Sequence, residues 1–188
     1  MKFREKKPAL ILIDIQKAFL DEEYWGGNRN NKNAEIICGK ILIKWRELNL
    51  PLFHIRHSST DTKSKLHRLN NGFEFNENVI PLENEVVITK NVNSAFIGTD
   101  LKVQLDKANI DTLVIVGLTT NHCVSTTTRM AGNFGYETYL ISDATACFDR
   151  IGINGERYNS ETIHLTTLAN LLDEFATVWG FEKLMDEI

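Results

Sequence analysis

The sequence predicts an α/β protein: a three-layer α/β/α fold around a central six-stranded, mostly parallel sheet. Three observations carry that prediction. Short apolar runs alternate with amphipathic helical stretches, the order expected of repeated strand–helix–strand units. The first run, Ala9 to Ile13, is apolar at every position, which suits a strand buried on both faces. At 188 residues, with 43% hydrophobic side chains and only three prolines, the chain is long enough to bury a core as one domain spanning residues 1–188.

The elements follow in order. After the first strand, Ile37, Ile41, Trp45 and Leu48 recur at helical spacing and predict an amphipathic helix over Ala34 to Leu48, with Cys38 in its buried region. Leu52 to Arg56 reads as the second strand and Val86 to Thr89 as the third. A helix over Asp100 to Ala108 places Leu101, Leu105 and Ala108 on one face, and Thr112 to Val116 makes the fourth strand. The next helix begins near Cys123 and stops at Gly135, a glycine suited to the position after a helix end. Glu137 to Ser142 gives the fifth strand. A helix over Glu161 to Phe175 then aligns Leu165, Leu168, Ala169, Leu172 and Phe175 on one stripe, and Ala176 to Trp179 closes the sheet. Two connections, Asp21 to Asn33 and His57 to Glu85, are too long to be simple turns and read as lids, pocket walls or subunit contacts.

Composition narrows the function classes. With 21 basic and 25 acidic side chains the net charge is -4, and beyond the short start Lys2 to Lys7 no basic block exists to attract nucleic acid or an anionic membrane. No apolar run approaches the roughly 18 residues of a bilayer span, and Asp14 interrupts the first apolar run too early for a secretory leader. Three cysteines without a Cys-x-x-Cys motif argue against a disulfide framework and suit a reducing, cytoplasmic setting.

Chemistry converges at the strand ends. In an open parallel sheet, ligands bind outside the carboxyl ends of the strands, and three reactive side chains fall there independently: Asp14, Lys90 and Cys123. Singly, each has a bland role as a turn residue, a solvated cation or a small hydrophobe. Together they make a nucleophile with its acid–base partners. Cys123 follows an apolar strand, a glycine and a polar elbow, so it is expected at a helix start, where unpaired N–H groups and the helix dipole favour thiolate.

The segments Ile11–Phe19, Ile88–Lys90 with Ser94–Phe96 and Gly98–Leu101, Gly117–Val124 with Thr128–Arg129, and Gly135–Tyr136 with Asp143–Ala144 resemble, in order and spacing, the isochorismatase-like cysteine hydrolases, which include nicotinamidases and N-carbamoylsarcosine amidohydrolases. The resemblance implies an Asp14–Lys90–Cys123 triad, a cis peptide between Leu118 and Thr119, and an oxyanion hole from the N–H groups of Thr119 and Cys123. It also implies a homo-oligomer and hydrolysis of a small amide or ureido substrate through a thioester. Nicotinamidases of this family carry an Asp-x-His and a further His near the second strand for a metal ion. Here the region reads His54-Ile55-Arg56-His57 and lacks the acid, and residues three apart on a strand face opposite ways. No metal and no other cofactor is therefore expected, although His67 remains on the long loop.

For the pocket, the aromatic residues Phe19, Trp25, Phe75 and Phe96 and the polar residues Gln16 and Asn121 are the candidates. His57 and Ser58 either face the pocket or only satisfy local hydrogen bonds. His122 is read as a packing or interface residue, with Asp14 preferred as the base. Competing readings are a vinyl ether hydrolase of the isochorismatase type, which does not need the thiol, and a catalytically idle thiol sensor. A nucleotide-binding module would need a glycine-rich or hydroxyl-rich loop after strand one, where this chain has Asp14 to Phe19.

Overall fold

The computed structural model describes residues 3–188; Met1 and Lys2 lie outside the described residues. The strands are β1 Ala9–Ile13, β2 Leu52–His57, β3 Val86–Lys90, β4 Thr112–Leu118, β5 Glu137–Ala146, β6 Arg150–Ile151, β7 Arg157–Tyr158 and β8 Thr177–Trp179. The α-helices are α1 Glu22–Trp25, α2 Ala34–Glu47, α3 Leu101–Lys107, α4 Ser125–Asn133, α5 Ser160–Leu171 and α6 Phe181–Glu187.

Six strands form one all-parallel sheet in the order β3-β2-β1-β4-β5-β8, while β6 and β7 make a separate antiparallel hairpin. The order runs outward in both directions from the neighbouring pair β1 and β4. Their carboxyl ends therefore frame the switch point where a doubly wound sheet opens a crevice.

Side chains of β1 alternate between two cores, as a period of two requires. Ile11 and Ile13 join Leu105 of α3, Ala131 of α4 and Leu168 of α5 on one side. Leu10 and Leu12 join Ile41 and Trp45 of α2 and Leu184 of α6 on the other. The strand is buried at all five positions, so the continuous apolar run has a direct physical cause. β4 is buried throughout, and Gly117 within it adopts φ 124° where β1 passes so close that a Cβ would sit 2.0 Å from the Ile13 carbonyl oxygen.

The structure departs from the sequence reading in particular places. β5 continues past Ser142 to Ala146, following a register shift against β4 between Ile115 and Gly117. α5 buries Ser160, His164, Leu168 and Leu171 and leaves Leu165 and Leu172 exposed, so the expected stripe is rotated: two polar residues begin the buried face. The same helix ends at Leu171 rather than Phe175, and Ala108 is exposed just past α3. The long connections hold α1, capped by Asp21 through Tyr24 N–H at 3.0 Å, and short helical turns at Asn71–Phe73 and Glu77–Val79. Among the described residues, no helix is long and apolar enough to cross a membrane.

Candidate active site

Asp14 follows β1 directly and adopts φ 51°, with its N–H donated to the Ile55 carbonyl at 2.9 Å. Lys90 is the last residue of β3, and its ammonium donates to Asp14 Oδ2 at 2.6 Å. Both side chains are inaccessible to solvent, so the ion pair is desolvated and depends on its short charge-assisted hydrogen bond. Lys90 Nζ also lies 3.3 Å from His57 Nδ1 at the end of β2. Cys123 completes the group: one ligand atom each from Asp14, His57 and Cys123 lie within 4.8 Å of one another. Asp14 Oδ1 is buried without a hydrogen-bond partner, a carboxylate oxygen left with its proton-accepting capacity unused.

The electrostatics differ from the expectation of a ready thiolate. Cys123 lies not in a regular α-helix but in a π-helical turn, Thr120–Val124, that precedes α4. Burial pushes its thiol far above the ordinary range and the Asp14 charge adds to this, while Lys90 opposes it. The resting sulfur is therefore a thiol. Burial and the neighbouring Lys90 charge hold the His57 pKa below its ordinary 6.5, so its neutral Nδ1 accepts from the ammonium.

A cavity of about 360 Å³ opens over Cys123, with Asp14 and Thr119 also on its surface. Phe19 and Trp25 supply its aromatic wall, stacked with centroids 4.7 Å apart, and the Trp25 indole N–H donates to the Ala18 carbonyl at 2.8 Å. The peptide bond between Leu118 and Thr119 is cis. His57 and His122 both face this cavity, with Ser59, Ser64, Leu66 and Asn93 around them. His122, expected as a packing or interface residue, lines the cavity; its Nδ1 sits 3.1 Å from Thr119 Oγ1, and burial lowers its pKa. A wider groove of about 920 Å³, between Lys17 to Glu23 and Lys65 to Gly72, touches none of the three reactive side chains.

Four pocket candidates fall elsewhere. Gln16 is spent on the backbone, donating to the His57 and Phe73 carbonyls at 3.1 and 2.9 Å and accepting from His57 N–H at 2.8 Å. It fixes the end of β2 rather than lining the cavity. Phe75 packs its ring against His54 and Arg56, and Phe96 packs in the core against Phe134 and Tyr136. Asn121 borders a small void that shares Trp25, Thr119 and His122 with the cavity. The cavity residues Ser59, Ser64, Leu66 and Asn93 were missed. The only available signal for the first three was the excessive length of the connection that carries them.

The donors do not suit a resident metal. His54 turns away from the cavity to bond Glu85 Oε2 at 2.8 Å, so it and His57 do not converge. His67 Nδ1 accepts the Leu69 N–H at 3.3 Å. Among the described residues, Asp14, His57 and Cys123 are the group with metal-ligating spacing, but the Lys90 ammonium bridges two of them and would face any cation bound there.

The model of the isochorismatase domain matches residues 8–178. An uncharacterized isochorismatase family protein of Bacillus subtilis, YrdC, is 51% identical over 97% of this chain and 97% of its own length. Nicotinamidase 3 of Arabidopsis thaliana is 28% identical over 95% of this chain and 87% of that protein. The crystal structure of a hydrolase of the isochorismatase family from Chromobacterium violaceum superposes with a TM-score of 0.94 at 38% identity, covering 100% of this chain and 96% of that one.

Proposed function

The chain belongs to the isochorismatase family of hydrolases, and we propose that within it the protein is a cysteine-dependent, metal-independent hydrolase of a small amide or ureido compound. The observation that carries this reading is the buried Asp14 carboxylate, held by Lys90 through Oδ2 and unpartnered at Oδ1, beside a thiol at the base of a cavity. Lys90 donates to the carboxylate at Oδ2, and His57 Nδ1 holds Lys90 from the other side.

The substrate carbonyl oxygen is directed to the N–H groups of Thr119 and Cys123. The thiol proton passes to Asp14 as sulfur attacks the carbonyl carbon, and the oxygen takes the negative charge in the tetrahedral intermediate. Collapse breaks the carbon–nitrogen bond. Asp14 gives its proton to the leaving nitrogen, and the acyl group remains as a thioester on Cys123. Water then loses a proton to Asp14 and attacks the thioester; the acid is released, and Asp14 returns that proton to sulfur. The aromatic wall of Phe19 and Trp25 orients the substrate and keeps bulk water off the thioester.

The test is release of ammonia or amine from a panel of small amides and ureides by wild type and Cys123→Ala, with and without chelator, with trapping of acyl-Cys123 by mass spectrometry. Turnover by wild type alone, indifferent to chelator, with the acyl mass on Cys123, is the expected result. Turnover surviving in Cys123→Ala, or lost to chelator, overturns the reading.

A further inference from the structure

A second cavity of about 420 Å³ shares Ser59 with the catalytic one, and the segment from Ser58 to Arg68 supplies lining residues to both. Ser64 and Leu66 face the catalytic cavity, Ser58, Thr60, His67 and Arg68 face the other, and Ser59 borders both. The segment is pinned at each end: Ser58 N–H donates to the Lys90 carbonyl at 2.7 Å, and Ser59 N–H to the Leu66 carbonyl at 3.1 Å. The catalytic Lys90 borders this second space as well.

The chemistry of the lining is one-sided. It contains Arg68, His67 and the hydroxyls of Ser58, Ser59 and Thr60, and no carboxylate. Arg68 makes no ion pair or hydrogen bond among the described residues, and neither do the hydroxyls of Ser58 and Thr60. His67, buried, already accepts the Leu69 N–H at Nδ1, which leaves Nε2–H as its donor. Asp61, the acid within the same segment, has its carboxylate engaged by Lys63 N–H at 2.9 Å. A fork of guanidinium donors, an imidazole N–H and free hydroxyls, with no competing acid, is the donor set that recognises a carboxylate or phosphate group.

We propose that this second cavity is an oxyanion-binding subsite, with Arg68 and His67 as its donors. The oxyanion comes either from the substrate, as an acid group carried past Ser59 from the amide at Cys123, or from a free anion that modulates the enzyme through Lys90. Only the first source rests on the hydrolase reading, and binding is measured without turnover.

The deciding experiment titrates the protein with inorganic phosphate at constant ionic strength, following backbone amide resonances. Saturable shifts confined to residues 58–60, 67–68 and 89–91 are expected in wild type, and Arg68→Gln weakens them by roughly tenfold to a hundredfold. Lys63→Gln, which removes the same charge from an exposed position lining neither cavity, leaves them unchanged. No saturation, or equal weakening by both substitutions, overturns the subsite. Paired amides with and without a carboxylate then separate the sources. A KM preference for the acidic member that Arg68→Gln abolishes assigns the oxyanion to the substrate. Equal KM values with phosphate-dependent turnover assign it to a free anion. Failure to turn over any amide refutes the hydrolase reading and leaves the titration result standing.

Discussion

Asp14→Asn should make Cys123 more reactive toward iodoacetamide while abolishing turnover. Asp14 and Cys123 place ligand atoms within 4.8 Å of each other. At an effective dielectric constant of about 20, a unit charge at that separation disfavours the thiolate by roughly 3 kcal/mol, equivalent to a thiol pKa about two units higher. Removing the charge raises the thiolate fraction about a hundredfold at neutral pH. The thiolate so released is intrinsically less nucleophilic, with a Brønsted coefficient near 0.5, so alkylation accelerates by roughly tenfold. Lys90→Met should act in the opposite direction, because the ammonium favours the thiolate. The assay is the rate of label incorporation at Cys123, read by peptide mass spectrometry. Cys38 and Cys147, buried and with thiol pKa values raised by burial, serve as internal monitors of unfolding. An unchanged or slower rate in Asp14→Asn, with Cys38 and Cys147 still unlabelled, would show that Asp14 does not govern the thiol proton and would remove it as the base.

Lys90→Met leaves a buried carboxylate without its counterion and should cost about 3–5 kcal/mol in urea denaturation; the double substitution Asp14→Asn with Lys90→Met should recover part of that loss without restoring turnover. Gly117→Ala should destabilise by more than about 3 kcal/mol in the same assay, because the new Cβ meets the Ile13 carbonyl and φ is 124°. His164→Ala removes the 2.9 Å contact to Thr120 Oγ1 beneath the nucleophile turn and should cost about 1–3 kcal/mol, read by thermal denaturation. Burial alone would raise the Glu85 carboxyl, but hydrogen bonds from Arg46, Leu82 N–H and His54 outweigh it and take the group from 4.5 to about 2. A depressed folded value stabilises above the ordinary pKa and loses that stability as pH falls through the folded one. Glu85→Gln should therefore flatten the decline in stability between pH 4.5 and about 2.

The convergence of Asp14, Lys90 and Cys123 was legible because each lies at or just beyond the end of a predicted strand. β1 is buried on both sides, so its apolar run is unbroken until Asp14, and β4 likewise ends just before the turn that holds Cys123. The aromatic candidates split according to tertiary packing that no periodicity encodes: Phe19 meets Trp25 over the cavity, whereas Phe96 meets Tyr136 in the core. Gln16 looked like a polar pocket residue but is consumed by three backbone contacts across two other segments. α5 was misread because its buried face includes Ser160 and His164, whose hydrogen bonds to distant loops make them interior residues. The β6–β7 hairpin, with two residues in each strand, is too short to carry any pattern.

The environment of the thiol favours the proposed hydrolase over a sensor. A redox sensor needs an accessible sulfur with a low pKa, because only the thiolate reacts quickly with peroxide. Cys123 is the reverse: burial and Asp14 together raise its pKa, with Lys90 opposing them. Such a group is quiet until a substrate reaches it. In the proposed mechanism sulfur needs its negative charge only while the carbon–sulfur bond forms, and Asp14, hydrogen-bonded by Lys90 at Oδ2, takes the proton at that moment. In a sensor the unpartnered Asp14 Oδ1 would be a buried cost with no return, whereas in the proposed acyl transfer it would serve as the proton acceptor of the first step. The feature that departs most from the sequence expectation, a thiol pushed up by burial rather than a ready thiolate, thus agrees with the proposed acyl transfer and not with a sensor.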